Sequence, residues 1–256
     1  MEKTKVPALQ RTMAILEFIA IKGECSPLEM TTELGIPKSS LYILLEELKK
    51  YRLIAQNDKG NYHLWLKIVE LAEHTLSGLN IREIAKPFLT QLMQECNLLC
   101  HLGVLDNESA YYILKIESNS TISVRSYEGK RLSLYKSGIG KCLLAWQPTA
   151  RQETLINAIQ FEKTTPTTIT SRAALKKELE QIKQQGWSYD NGEDYTEIRC
   201  FAAPIFNAKG ELAAAISIVG TSLQIKETDQ KELSQKVIYY AQKISTELGW
   251  LGKPMH

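Results

Sequence analysis

The chain has 256 residues, and at roughly 150 residues per domain that length accommodates two domains more readily than one or three. Lys and Arg number 31 against 29 Asp and Glu, a net charge of +2, so no global imbalance dictates a polyanionic or polycationic partner. With 44% hydrophobic and 23% charged residues, the composition is that of a globular protein and excludes disordered and fibrous classes. The longest largely apolar run, Leu212 to Val219, falls far short of the roughly 18 residues that span a bilayer. The opening residues Met1-Glu2-Lys3-Thr4-Lys5 lead into mixed polar sequence, so a cytoplasmic protein with no membrane partner is expected.

In chain order, Leu9, Met13, Leu16 and Ala20 keep helical spacing and predict a first helix stopped by Gly23. Ser26-Pro27-Leu28-Glu29 is a capping box with proline at the first helical position, opening a short second helix broken by Gly35-Ile36-Pro37. A third helix is expected from about Lys38 to Tyr51, carrying Leu41, Leu44, Leu45 and Leu48 on one stripe. Leu53-Ile54-Ala55 and Tyr62-His63-Leu64, joined by Asn57-Asp58-Lys59-Gly60-Asn61, read as a hairpin. Short helix, glycine turn, longer helix and hairpin form the layout of a winged helix-turn-helix over residues 1–66.

A linker helix is expected over residues 67–80, with Gly78 and Asn80 separating it from a second helix. That second helix carries Ile81, Ile84, Ala85, Phe88, Leu89, Leu92, Met93 and Cys96, with Pro87 able to kink it. Strands are expected at Leu98–Leu105 and Ala110–Ile116, with short ones near Ile122 and Leu132, then a helix from about Gly140 to Trp146. Leu175, Leu179 and Ile182 mark another helix closed by Gly186. A strand pair at Phe201–Phe206 and Glu211–Val219 and a long terminal helix complete an α+β domain over 81–256.

The leading turn of the third helix offers Lys38, Ser39, Ser40 and Tyr42 away from the leucine stripe, short polar groups suited to a major groove. Ser39, Ser40 and Tyr42 are assigned base edges; Lys38, Lys49 and Lys59 are assigned phosphates, with Asn61 beside Lys59 at the hairpin tip. Residues 1–66 hold nine Lys and Arg against eight Asp and Glu, so the reading rests on element order and helix tip, and needs Glu46 and Glu47 to face away from DNA.

Several chemistries are weighed and set aside. Cys96-x3-Cys100 followed by His101 supplies three ligand types but no matching fourth, so no metal is expected. Gly138-Ile139-Gly140-Lys141 fails the phosphate-loop pattern at Tyr135 and Cys142, and the acidic run Asp190, Glu193, Asp194, Glu197 fails the EF-hand at Tyr195. The enzyme alternative is a cysteine-dependent hydrolase on Cys142 or Cys200, for which His101 is the one usable base. No enzyme activity, catalytic residue or cofactor is expected.

Pro7-Ala8-Leu9-Gln10-Arg11-Thr12-Met13-Ala14-Ile15-Leu16 and Leu34-Gly35-Ile36-Pro37-Lys38-Ser39-Ser40-Leu41-Tyr42 resemble the opening signature and recognition-helix entrance of the isocitrate lyase regulator (IclR) family of bacterial transcription factors. The segments 132–145, 186–190, 199–206 and 213–220 resemble that family's effector-domain signatures, so the resemblance covers nearly the whole chain. It implies a GAF-like effector-binding domain, Arg11 as a further DNA contact, and a pocket at Gly138, Ile139, Asp190, Ile198, Cys200, Ser217 and Val219. It also implies a near-palindromic double-stranded operator, a homodimer or dimer of dimers, a repressor role, and a small carboxylate or sugar-acid effector. In such a pocket Gly138 admits an anion to a helix N-terminus, Ser217 adds a hydroxyl, Ile139 and Ile198 an apolar wall, and Asp190 an acceptor for ligand hydroxyls. Three departures stand out: Ile43 where the family carries arginine, Gly192-Glu193 and Glu197 where it carries Glu-Glu and glycine, and Val219 where it carries serine.

Overall fold

The computed structural model describes residues 5–71, 80–122 and 124–252. The chain divides into two units, Met1–Leu79 and Asn80–His256.

The first unit holds α1 (Pro7–Lys22), α2 (Pro27–Leu34), α3 (Lys38–Lys50) and a hairpin of β1 (Ile54–Gln56) and β2 (Tyr62–Leu64). The capping box forms as its spacing dictates: Ser26 Oγ accepts the Glu29 N–H at 3.3 Å and Glu29 Oε2 accepts the Ser26 N–H at 2.8 Å. Gly35 takes the left-handed conformation (φ +62°) that ends α2 and turns the chain into α3. Ile15, Ile19, Met30, Leu41, Leu45, Leu48, Ile54 and Tyr62 form one buried cluster. In α1 the buried residues are Ile15 and Ile19, while Leu9 and Met13 are 60% and 46% exposed. Both stripes keep helical spacing, so periodicity by itself does not choose between them. Residues 66–71 are helical, and the rest of the expected linker helix, 72–79, lies outside the described residues.

The second unit is built on a six-stranded antiparallel sheet in the order β5-β4-β3-β8-β7-β6. Its strands are β3 (Leu99–Asp106), β4 (Ser109–Ile116), β5 (Arg131–Leu132), β6 (Ser188–Asn191), β7 (Ile198–Phe206) and β8 (Leu212–Thr221). Its helices are α4 (Ile81–Cys96), α5 (Gly138–Ala145), α6 (Thr149–Ala158), α7 (Arg172–Gln185) and α8 (Gln230–Glu247). Successive strand residues alternate between the two faces. Cys100, Leu102, Phe201, Ala203, Ile216 and Ile218 join a core with Leu89 and Leu92 of α4 and Val237 and Ile244 of α8. On the opposite face, Ala202 and Ala215 pack with Ile139, Cys142 and Leu143 of α5.

Four local expectations change. Among the described residues the stretch at Ile122 forms no strand, α5 begins at Gly138 rather than Gly140, and α6 and β6 are additional elements. Helix α4 continues through Pro87, opened by Asn80, whose side chain accepts the Arg82 N–H at 3.0 Å.

Candidate functional site

The same alternation that builds the core settles the Cys96–Cys100–His101 cluster. Cys100 packs into the α4–α8 core, while its neighbour His101 points through the other face of the sheet, so the two cannot share a metal ion. Among the described residues no group of three or more His, Cys, Asp or Glu side chains is placed to hold one.

His101 instead lies on the floor of a cavity of about 600 Å³ on the α5 side of the sheet. Strand residues Tyr112, Ile198, Cys200, Val219 and Thr221 continue the floor. The lining also takes in Arg125, Ser126, Tyr127 and Lys130 from the stretch leading into β5 with Arg131 of β5, then Asp190, Asp194, Tyr195 and Glu197, and Ser137 and Gly138 at the N-terminus of α5. Of the residues expected in a pocket, Gly138, Asp190, Ile198, Cys200 and Val219 line this cavity. Ile139 and Ser217 do not: Ile139 is buried in the core under β3, and Ser217 is fully buried in β8. Ile139 follows Gly138 by one helical position, a step of about 100°, which turns it away from the opening.

Gly138 serves packing as much as access. A Cβ there would sit 2.8 Å from Cys200 Sγ, so only glycine lets α5 approach β7 this closely. Ser137 caps α5, its Oγ accepting the Gly140 N–H at 3.0 Å.

The cavity lining carries both signs of charge. Arg125, Lys130 and Arg131 form no ion pair among the described residues. Asp190 is buried, and desolvation pushes its carboxyl up to about 7. His101 is held neutral, its pKa lowered to about 3 by burial and by the nearby Lys115 and Lys130 charges. Its ring stacks on Tyr112 with centroids 3.9 Å apart, and Nε2 lies 2.7 Å from Ser126 Oγ. Burial raises the Cys142 thiol strongly and the Cys200 thiol to about 12. Neither sulfur is a thiolate at neutral pH, so the cysteine-hydrolase alternative lacks a nucleophile.

Within 124–133 sequence reasoning placed only the short strand near Leu132 and the start of a family signature, and it named His101 only as a candidate metal ligand or base. Its signal was there: one polar residue at a face-alternating position inside the apolar run Leu98–Leu105.

In the first unit, Lys38 and Ser39 are exposed at the start of α3, Ser40 is half-buried and Tyr42 is exposed. Ile43 is 66% exposed on the same outer stripe. Lys49 lies 3.4 Å from Glu46, and Lys50 lies 3.6 Å from Glu47, so both glutamates sit on the exposed side of α3 beside lysines. Lys59 is exposed at the hairpin tip, which Asn57 Oδ1 organises by accepting the backbone N–H groups of Lys59 and Asn61 at 3.1 and 3.0 Å. Asn61 is half-buried there, and Arg11 is exposed on α1.

Residues 73–246 match the family described as bacterial transcriptional regulator IclR, C-terminal. The chain belongs to the IclR family. It is 56% identical over 250 residues to the HTH-type transcriptional regulator RhmR of Escherichia coli K12, covering 98% of this chain and 96% of that protein. It is 30% identical over 247 residues to the HTH-type transcriptional regulator XynR of the same organism, covering 96% and 98%. Among solved structures, the Agobacterium tumefaciens repressor BlcR superposes with a TM-score of 0.81 at 25% identity over 97% of this chain and 99% of that one. This IclR-type protein is a transcriptional regulator, and its relatives are regulators rather than enzymes. No helix among the described residues is long and apolar enough to cross a membrane.

Proposed function

We propose that this IclR-family regulator is a cytoplasmic repressor whose hold on a near-palindromic DNA operator is set by a small organic acid, of the sugar-acid type, bound in the cavity of the second unit. In this reading residues 1–66 form a winged helix-turn-helix and α3 enters the major groove. Ser39, Ser40 and Tyr42 meet base edges; Arg11, Lys38, Lys49, Lys59 and Asn61 meet backbone or neighbouring groove. Glu46 shares Lys49, which weakens that lysine as a phosphate contact relative to Lys38. Ile43 carries no hydrogen-bonding group, so on the groove-facing stripe it favours the methyl of thymine.

The observation that carries the ligand reading is the presence of both charge signs in one cavity lining. Arg125, Lys130 and Arg131 suit a carboxylate, and Asp190 and Glu197 accept hydroxyls. Two protomers, alone or as a dimer of dimers, would place two reading helices roughly 34 Å apart, and the ligand would change that spacing. A coupling of about 1–3 kcal/mol shifts operator affinity roughly 5- to 150-fold.

The test is a gel-shift titration of the full chain against its own upstream DNA at low and physiological salt, with and without a library of small acids. Retarded DNA whose band is released or tightened by one acid supports the reading. Absence of any retarded species at low salt overturns it.

A further inference from the structure

The 5 cysteines of the chain are not alike. Cys25, Cys100, Cys142 and Cys200 are buried, while Cys96, on the last turn of α4, keeps part of its surface open to solvent. Two features of the chain bring Cys96 and Cys100 together. Asn97 takes the left-handed conformation (φ +49°) and donates its N–H to the Met93 carbonyl at 2.7 Å, which ends α4 and turns the chain into β3. Face alternation then sends Leu98 and Cys100 into the core shared with α4, and Leu99 to the other side of the sheet. Cys96 packs against that same core, and the Cys100 thiol hydrogen-bonds its sulfur.

The surroundings of the two sulfurs differ. The hydrogen bond from Cys100, a Leu98 N–H and the ammonium of Lys236, itself paired with Glu232, hold the Cys96 thiol below its usual range against partial burial and the Glu95 charge. Burial raises the Cys25 thiol to about 11 and the Cys200 thiol to about 12, and raises Cys100 and Cys142 strongly. One thiol is therefore both accessible and activated, and it touches a second that is buried and protonated.

We propose that Cys96 and Cys100 are a redox modification site, at which a hydroperoxide oxidises Cys96 and Cys100 converts the product to an intramolecular disulfide joining α4 to β3. The proposal goes beyond the regulatory reading and does not depend on which ligand fills the cavity. In the first step the Cys96 thiolate attacks one oxygen of hydrogen peroxide. The S–O bond forms, the O–O bond breaks, and the departing hydroxide takes up a proton as water. In the second step the Cys100 sulfur attacks the sulfenic sulfur of Cys96, forming the S–S bond as the S–O bond breaks. The leaving hydroxide takes the Cys100 proton and departs as a second water. Counted from two thiols, two electrons and two hydrogens pass to one peroxide. Contact between the sulfurs makes the second step intramolecular, so it outruns further oxidation of Cys96 by another peroxide.

The experiment treats the full-length protein, reduced and freed of reductant, with a small molar excess of hydrogen peroxide. It reads intact mass, titratable thiols and the spectra of proteolytic fragments. The wild type is expected to lose two hydrogens and two thiols, to carry the linkage between Cys96 and Cys100, and to recover both thiols in dithiothreitol. Cys96→Ser should slow thiol loss by about tenfold or more. Cys100→Ala should stop at the sulfenic acid, gaining one oxygen on Cys96 and a dimedone adduct. Cys100→Val, which keeps the core filled, gives the same readout if the alanine variant folds poorly. A wild type left fully reduced, an oxygen retained on Cys96 in place of the disulfide, or a linkage to another cysteine or another chain would overturn the proposal. So would a Cys96→Ser protein that loses thiols as fast as the wild type.

Discussion

Asp190 Oδ1 accepts the backbone N–H of Glu193 at 2.8 Å, and the carboxylate of that same Glu193 lies 2.6 Å from the buried Nζ of Lys141. The carboxylate facing the cavity is thereby tied, through one residue, to an ion cluster inside the domain that also takes in Glu178 at 2.8 Å and the Tyr189 carbonyl at 2.5 Å.

Asp190 should leave a signature in stability against pH. Desolvation raises its folded-state pKa from 3.8 to about 7. Between those values the folded protein holds a proton that the unfolded chain has released, so stability falls as pH rises from about 4 to about 7 and then levels. Asp190→Asn keeps the acceptor for the Glu193 N–H and should flatten that slope, gaining on the order of a few kcal/mol over wild type at pH 8. Urea unfolding at a series of pH values checks it, and parallel curves for the two proteins would refute it.

Lys141 is fully buried, and its charge is maintained against desolvation by Glu193 and Glu178. Lys141→Met should destabilise the second unit by about 3–5 kcal/mol, because Glu193 is left buried and unpaired. Adding Glu193→Gln should recover a good part of the loss; Glu178, more exposed, can hydrate. The comparison is between denaturant midpoints of the single and double variants.

Two glycines of α5 should respond differently to alanine. A Cβ at Gly140 would stand 2.0 Å from the Ser133 carbonyl oxygen, a backbone atom that cannot swing aside, so Gly140→Ala should lower the melting temperature sharply or abolish soluble expression. At Gly138 the nearest obstacle is the Cys200 thiol at 2.8 Å, and Gly138→Ala should be partly rescued by Cys200→Ala.

Lys38→Ala, removing an exposed cation at the tip of α3, should weaken operator binding uniformly across sequences and reduce the slope of log affinity against log salt by about one. An unchanged slope in a fluorescence-anisotropy salt series would remove Lys38 from the phosphate contacts.

Ile43 should read a thymine methyl. In a selected high-affinity operator, replacing individual thymines by deoxyuridine should weaken binding at one position per half-site by about 1 kcal/mol, and Ile43→Ala should erase that difference. Equal affinity for every substituted duplex would exclude the contact.

Much of this architecture was legible in the one-dimensional pattern because it depends on neighbours a few residues apart. The Ser26–Glu29 box, the Gly35 turn and the leucine stripe of α3 are local, and each formed where its spacing indicated. The family signatures singled out seven residues of the second unit, and five of these line its cavity. Local reasoning does not choose a buried face where two stripes share one period, as on α1. It failed where pairing creates the element: Ser188-Tyr189-Asp190-Asn191 has little strand propensity and becomes β6 only against β7. Helix α6 lacks a side-chain cap and buries only Leu155 and Ile156, so it shows no strong stripe.

By itself, then, the sequence determined most of the order of elements and the polar tip of α3, since these follow from short-range spacing, while its motifs carried the resemblance to the IclR family. Which side of the sheet each strand residue occupies relative to α5, and hence that His101 and residues 124–131 meet Asp190 around one cavity, was decided only by tertiary packing. Register between strands distant in sequence is set by the burial of whole faces, and no local pattern encodes what those faces will enclose.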